Sequence, residues 1–322
     1  MGFEFLKKIA VMVLLWFDTD YQAAELKTEG PAAERFNWVR VLPFIGMHLA
    51  CLTVFLVGWS WFAVLFALGM YLIRMFAITA FYHRYFSHRS FKSSRVLQFF
   101  FALLGCSAVQ RGPLWWAAHH RHHHAYSDTE RDAHSPTTRG FWWSHMFWFT
   151  CDANFPTQYK RVKDFAKFPE LVFLNRYDIL VPFLLAVGIL ALGKGLEVWA
   201  PGLGVTGWQL LVWGFVISTV VLFHATFTIN SLAHVIGSRR FETKDDSRNN
   251  WWLALLTLGE GWHNNHHRYP ASVRQGFRWW EIDVTYYVLR LMAVVGLIWD
   301  LRPVPERILQ EASAAGKQPA PA

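Results

Sequence analysis

Residues 61–88 read WFAVLFALGMYLIRMFAITAFYHRYFSH, a long apolar run that leads into two histidines, His83 and His88. About 20 apolar residues are needed to cross the hydrocarbon core of a bilayer. The part of this run from Trp61 to Tyr82 is long enough and holds almost no charged side chains. The stretch therefore predicts a membrane-spanning helix with histidines at its end.

Three other stretches are similarly long and apolar, and the four predicted spans cover approximately residues 41–58, 61–82, 179–199 and 208–233. Very short turns separate the first two spans and the last two, so each pair should form an antiparallel hairpin. Shorter apolar stretches are interpreted as interfacial helices, at Phe3–Phe17, Val96–Val109 and Val284–Trp299. The predicted fold is an all-α integral membrane protein, with four transmembrane helices in two hairpins and a helical cytoplasmic cap.

The composition also favours a membrane protein, because only 17% of the 322 residues are charged, whereas a soluble domain carries about 25%. The net charge of +8 arises from Lys and Arg between the apolar stretches. A nucleic-acid-binding protein would carry a basic face and no long apolar spans. Because this chain has such spans, nucleic acid is excluded as a partner. The three cysteines show no C-x-x-C spacing, so neither disulfides nor thiolate metal sites are expected.

Lys and Arg concentrate in residues 84–176 and after Arg239, and such residues mark cytoplasmic loops. The N-terminus, the 84–176 segment and the C-terminal part should therefore be cytoplasmic. We expect a cytoplasmic N-terminal segment with an interfacial helix at 1–40, a domain holding the spans and the histidines at 41–302, and a disordered tail at 303–322.

The histidines fall into three clusters and one single position, His234. His120, His123 and His124 are spaced i, i+3, i+4, and His263, His266 and His267 repeat that spacing. On a helix those positions share one face, so each triad can direct three imidazoles at a metal. Zinc sites take about four ligands, so nine imidazoles fit two metals better. Imidazole binds Fe, Zn, Cu and Ni, and ligand type alone does not choose among them.

His83 and His88 are five residues apart and would point about 140° apart on a continuous α-helix. We therefore expect the second span to end near His83, with His88 on the chain that turns away. His48, His145 and His224 are interpreted as ordinary side chains at the membrane interface. For His119, His122 and His134, a purely structural role and a role in supporting the metal ligands both stay open.

These motifs resemble the membrane fatty acyl desaturases, specifically the stearoyl-CoA and bacterial delta-9 group. The resemblance extends from about Met75 to Arg302 and includes H-x-x-x-x-H at His83, H-x-x-H-H at His120, N-S-x-x-H at Asn230 and H-N-x-H-H at His263. Gly259-Glu-Gly-Trp262 precedes the last box, as the family pattern has it. We expect a multi-pass protein of a bacterial inner membrane, with the site on the cytoplasmic side as the Lys and Arg distribution predicts.

The resemblance implies two irons, O2 as co-substrate and two external electrons for placing a cis double bond, at delta-9, in a long-chain acyl substrate. The implied ligands are nine histidines, with Asn230 acting through water: His83, His88, His120, His123, His124, His234, His263, His266 and His267. An acyl-CoA and an acyl-lipid substrate both remain open. A hydroxylase, ketolase or alkane monooxygenase would share these ligands. A metal transporter is disfavoured, because transport sites lie near the membrane midplane, whereas these histidines are expected at the ends of the helices.

Further residues are expected to support this site. Asp128, Asp132 and Glu260 are candidates for binding the second imidazole nitrogens, with solvated loop acids as the alternative. Four aromatic residues are candidate walls of an apolar substrate tunnel: Phe76, Trp116, Trp143 and Trp262.

The electrons should come from a separate ferredoxin-type or rubredoxin-type protein with its reductase, because no flavin, haem or iron–sulfur motif is present. Arg268, Arg274 and Arg278 are the candidate docking contacts, and binding to lipid headgroups is the alternative.

Overall fold

The computed structural model describes residues 2–21 and 34–315 of the chain. Within them, four helices are long and apolar enough to cross a membrane: Trp38–Val57, Trp61–Ser87, Leu180–Trp199 and Gly207–His234. They lie where the sequence predicts spans, and the largest difference is five extra residues at the end of the second. The chain is thus mostly helical, with four candidate membrane helices.

The secondary structure of the described residues is almost entirely helical. The α-helices are Gly2–Phe17, Trp38–Ala50, Val54–Val57, Trp61–Phe76, Arg95–Cys106, Pro113–Tyr126, Pro136–Arg139, Lys163–Ala166, Pro169–Arg176, Leu180–Trp199, Gly207–Leu211, Ser218–Asn230, Trp251–Leu256, His263–Arg268, Val284–Val294 and Glu306–Ala315. The π-helical segments are Ala77–Ser87, Trp143–Phe147 and Val212–Ile217. The 3-10 turns are Cys51–Thr53, Trp148–Thr150, Asp152–Asn154, Tyr159–Arg161, Pro201–Leu203 and Leu232–His234. Two short antiparallel strands pair Lys92–Ser93 with Ile298–Trp299.

The chain forms two compact units. The first comprises Met1–Arg74, Ala102–Trp115 and Phe149–Phe223, and the second comprises Met75–Phe101, Trp116–Trp148 and His224–Ala322.

The first unit consists mainly of the apolar helices. Its buried core contains Ala63, Ile189, Val205, Leu210, Phe215 and Val216. Gly193 and Gly207 allow two helices to approach closely, since a Cβ at Gly193 would lie only 2.6 Å from the Gly207 Cα atom. Large apolar side chains remain exposed on the outer faces, including Phe55 (83%) and Trp199 (86%). Exposed apolar helix faces of this kind suit a lipid environment.

The second unit contains the histidine clusters and shows one local departure from the expected geometry. The second long helix does not end near His83; it continues as a π-helix from Ala77 to Ser87. The backbone N–H group of His88 donates to the backbone carbonyl of His83 at 3.2 Å. This i→i+5 hydrogen bond places the two residues on the same face of the helix. The expectation that His88 lies on a departing chain is therefore wrong, and the chain turns only at Arg89, where φ is +52°.

Helices occur at all three predicted interfacial positions, although the last ends at Val294 and is followed by a strand. The predicted disordered tail is wrong for Glu306–Ala315, which is helical. Ile308 and Ala312 lie four residues apart, so they share one face, and they belong to one buried cluster with Phe241 and Phe277. The rest of that tail, residues 316–322, lies outside the described residues.

Candidate metal centre

All nine predicted ligands lie in the second unit, at the ends of helices or on short ones. His83 belongs to the π-helix, and His88 directly follows it. The second box lies on Pro113–Tyr126, and His234 ends a 3-10 turn. The third box lies on the six-residue helix His263–Arg268, which is too short to be stable by itself.

Two buried asparagines inside the third box anchor that short helix. The Asn264 side-chain oxygen accepts from the backbone N–H groups of Arg240 and Phe241, at 2.8 and 2.7 Å. The Asn265 side chain donates to Glu281 and to the Gln275 carbonyl, each at 2.9 Å. These bonds fix the helix to distant loops, so the imidazoles beside the asparagines are held in place.

Five histidines, here called the five-histidine group, direct their Nε2 atoms at a common point. Neighbouring Nε2 atoms form a closed ring, with separations of 3.0 Å for His83–His266, 3.2 Å for His83–His88, 2.8 Å for His88–His120, 3.1 Å for His120–His124 and 2.9 Å for His124–His266. Two nitrogens bound at right angles to one ion, at about 2.1 Å each, lie about 3.0 Å apart. The ring therefore has the dimensions of a coordination shell.

The other four, here called the four-histidine group, are His123, His234, His263 and His267. Their ligand atoms all lie within 4.8 Å of one another. The two groups adjoin, since the ring centroids of His124 and His267 are 4.5 Å apart. Two metal ions could thus be held side by side.

Carboxylates fix the orientation of four of these imidazoles. The His234 Nδ1 atom lies 2.7 Å from Asp128, that of His123 lies 2.9 Å from Asp132, and that of His267 lies 2.8 Å from Asp245. The His83 Nδ1 atom contacts Glu260. A carboxylate at Nδ1 keeps the proton on that atom and leaves the lone pair on Nε2. The Nε2 lone pairs of these four histidines are therefore free to bind a metal.

The donor set fits metal ions on two physical grounds. Lone pairs that face one another at about 3 Å repel unless a cation lies between them. In addition, burial and neighbouring imidazoles lower the pKa of His88, His120, His124 and His266 well below the usual value. These four side chains are therefore neutral, which is the form that binds a metal.

The Asp128 carboxyl, which faces His234, is held in its ionised form by its hydrogen bonds. Burial alone would raise its pKa, but hydrogen bonds from His234, from Ser135 and from the backbone N–H of Asp246 lower it to about 2. The group is thus a carboxylate at neutral pH, and it accepts from its histidine.

Asn230 ends the helix Ser218–Asn230 and is half-buried, and its carbonyl accepts from Ser144 at 2.7 Å. Its role through water stays a prediction.

The four predicted tunnel residues differ in their surroundings. Trp116 stacks on His120, with centroids 5.0 Å apart, and lies 6.0 Å from the His83 ring. Phe76 contacts Phe81, with ring centroids 5.4 Å apart. The indole N–H groups of Trp143 and Trp262 donate to the carbonyls of Ala133 and Ile282. Only Trp116 therefore contacts a predicted ligand through a stacked ring, and a tunnel stays a prediction.

Sequence reasoning missed Asp245, Gln275 and the role of Arg84. Asp245 lies 22 residues before its histidine in a loop, so no local spacing reveals the contact. Gln275 donates to Glu260 at 2.9 Å and approaches His83 Nδ1 at 3.2 Å. Arg84, which adjoins the first ligand in sequence, donates to Glu260 at 3.0 Å. Its position inside the first histidine box was the only available hint.

Six histidines are not among the nine predicted ligands: His48, His119, His122, His134, His145 and His224. His134 stacks on His123 with centroids 4.4 Å apart. His145 Nε2 lies 3.0 Å from His224 Nδ1, and burial together with His224 lowers the pKa of His145 to about 4. His48 belongs to the first unit and bonds to the carbonyl of Phe44. None of the last three belongs to either group.

The described residues thus contain four helices apolar enough to cross a membrane and two adjoining histidine groups that could hold metal ions. The family model described as fatty acid desaturase matches residues 26–294. The chain therefore belongs to the fatty acid desaturase family, as the motifs predict. Members of this family are oxidoreductases that act on acyl chains, are associated with membranes, and in general use iron and O2.

Several curated relatives are similar over most of the chain. An sn-1 stearoyl-lipid 9-desaturase of Anabaena variabilis is 38% identical over 83% of this chain and 94% of its own length. An acyl-CoA 5-desaturase of Anemone leveillei is 37% identical over 85% of each chain. A palmitoyl-monogalactosyldiacylglycerol delta-7 desaturase of Arabidopsis thaliana is 37% identical over 90% of this chain and 72% of its own. The relatives thus differ in double-bond position and in acyl carrier.

Proposed function

We propose that this protein is a fatty acyl desaturase that introduces a cis double bond, at delta-9, into a long-chain acyl substrate. The reaction would use O2, two irons and two electrons from an external donor. The observation that supports the proposal best is the convergence of nine imidazoles in two adjoining groups. The sn-1 stearoyl-lipid 9-desaturase relative supports delta-9 and a lipid-bound substrate, while the acyl-CoA relative keeps a CoA thioester open.

In this proposal the five-histidine group holds one iron, and the four-histidine group holds the other with Asn230 acting through water. When bound, the irons supply the oxidising power for removing hydrogen from an unactivated methylene. The chain contributes orientation: carboxylates hold protons on Nδ1 and direct the Nε2 lone pairs inward. Trp116, which stacks on His120, would bound the substrate tunnel together with Phe76, Trp143 and Trp262.

Product analysis in a heterologous host tests this function. Gas chromatography–mass spectrometry of the host lipids should show a new monounsaturated acyl chain with the double bond at carbon 9. A His266→Ala variant, expressed to the same level, should yield none. A hydroxylated or ketone product would instead indicate another oxygenase of the same scaffold.

We also propose that the four apolar helices cross the membrane as two hairpins, with both termini, residues 84–176 and the site in the cytoplasm. The supporting observation is the concentration of Lys and Arg in these parts. Glu130 and Gly202 are both exposed. Cysteines introduced at these positions should therefore be labelled from opposite sides of the membrane. Labelling of both from one side would contradict the topology.

The electron donor is proposed to be a separate acidic ferredoxin or rubredoxin that docks on basic residues. Arg268 already pairs with Glu311 at 2.6 Å, so Arg274 and Arg278 are the better candidate contacts. Reconstituted turnover should require the added carrier and its reductase and should fall as salt rises. Turnover without a carrier would refute the proposal, and turnover indifferent to salt would refute the electrostatic docking.

A further inference from the structure

The two histidine groups are surrounded by different charges. The four-histidine group contacts three carboxylates, Asp128, Asp132 and Asp245, through the Nδ1 atoms of His234, His123 and His267. Within residues 2–21 and 34–315, the five-histidine group contacts a single carboxylate, Glu260, through His83. The difference is therefore three negative charges against one.

The three carboxylates of the four-histidine group have no cationic partner other than histidine among the described residues. Asp128 accepts from Ser135 and from the backbone of Asp246. Asp132 accepts from the backbone N–H groups of Asp128 and His134, and Asp245 accepts from that of Ser247. Neutral donors satisfy these oxygens, so their negative charge remains directed at the imidazoles.

The carboxylate at the five-histidine group instead pairs with an arginine, Arg84, which also pairs with Asp283 at 2.9 Å. The Arg84 guanidinium donates to Glu260 at 3.0 Å and is itself almost fully buried. A second guanidinium, that of Arg121, bonds to the carbonyls of Ser87 and Phe86, directly before His88.

From this charge distribution we infer that the two metal positions are electronically unequal, and that the ion in the four-histidine group is reduced last. The inference rests on the proposed function, because it takes both positions to hold iron. A carboxylate at Nδ1 gives the imidazole more negative character and stabilises the more highly charged ion. Charge and hydrogen bonds around the ligands are the means by which a protein sets a reduction potential. Electrons delivered one at a time should thus enter at the five-histidine group.

Stepwise reduction of the full-length protein loaded with iron-57, followed by Mössbauer spectroscopy, tests this inference. Two ferric doublets should disappear in sequence, and a mixed-valent form should accumulate near half-reduction. Equal behaviour of the two irons during reduction would overturn the inference and leave the proposed function intact. Fewer than two irons in the wild-type protein would overturn the proposed function as well.

Near-isosteric variants assign each step to a group. Asp245→Asn removes a charge beside the four-histidine group, so it should shift the later step toward the earlier one and reduce the mixed-valent maximum. Glu260→Gln removes the carboxylate beside the five-histidine group, so it should widen the separation. Each variant should also bind iron about 10- to 100-fold more weakly at its own position only.

Asp246→Asn is the matched control, because this neighbouring carboxylate faces Thr137 and Arg239 rather than a histidine. It should leave both reduction steps and iron binding unchanged. Equal effects of Asp245→Asn and Asp246→Asn would overturn the inference, as would a loss of iron at both positions in Asp245→Asn. Unchanged thermal unfolding of all three variants would exclude misfolding as the cause.

Discussion

Two arginines on the same long helix, Arg74 in the first unit and Arg84 in the second, are both buried but have different partners. Arg74 donates to the hydroxyl groups of Ser218 and Thr219, at 2.5 and 2.6 Å, and to the Met70 carbonyl. In the described part of the chain it contacts no carboxylate. Arg84 contacts two, Glu260 at 3.0 Å and Asp283 at 2.9 Å.

This difference separates local satisfaction of a polar group from a connected set of charges. The bonds of Arg74 end at neutral groups, so they tie neighbouring segments together and reach no further. The bonds of Arg84 lead through Glu260 to His83, a proposed ligand. In the second unit, a change at one buried charge should therefore affect the metal centre.

The largest expected effect is at the proposed metal ligands themselves. His123→Ala and His266→Ala should each abolish desaturation and lose at least one iron per chain, because each removes one proposed ligand. His48→Ala, in the first unit, should keep activity, since His48 lies outside both histidine groups, bonds to the Phe44 carbonyl of its own helix and has its ring tilted against that of Phe44. Iron analysis and product assays measure both. An active His266→Ala protein with its full iron would contradict the site assignment.

The next largest effect is expected at Arg84. Arg84→Met leaves Glu260 and Asp283 buried without their cation, and such changes cost about 3–5 kcal/mol. Thermal unfolding should show this loss, and iron content should fall with it. Arg84→Lys keeps the charge, so its stability and iron content should lie between those of the wild type and of Arg84→Met. A stability within about 1 kcal/mol of wild type would contradict the role of this ion pair.

Arg74→Met should have a smaller effect, because no carboxylate is left behind. The Ser218 hydroxyl keeps its bond to the Gly214 carbonyl, whereas the Thr219 hydroxyl loses the donor Arg74. We therefore expect the free energy of unfolding to fall by about 1–2 kcal/mol. Iron content should not change. Loss of iron in Arg74→Met would show that the two buried arginines do not differ as proposed.

The smallest effect is expected for an ion pair at the surface. Arg268 and Glu311 pair at 2.6 Å, but their side chains are 33% and 42% exposed. Water screens such a pair, so Glu311→Gln should change the free energy of unfolding by about 0–1 kcal/mol. Unfolding measurements at low and high salt would check this. A loss as large as that of Arg84→Met would mean that burial does not govern these contacts.

The parts of the site that obey a local rule could be predicted from sequence. The triads at His120 and His263 are both helical, as their i, i+3, i+4 spacing predicts. The same rule failed for His83 and His88, because the helix there has i→i+5 bonds. Residue spacing does not reveal which period a helix adopts. Trp116 and His120 do lie one turn apart and stack, as α-helical spacing allows.

The sequence by itself determined the four apolar helices, the family and the residue types of the site, because span length and helical period are local properties. Only the tertiary structure decided how the nine histidines divide into five and four, since His83 and His266 meet across 183 residues of chain. It likewise decided that Asp245 faces His267 and that Arg84 lies between two carboxylates. Such contacts depend on how distant segments pack, and no spacing along the chain encodes them.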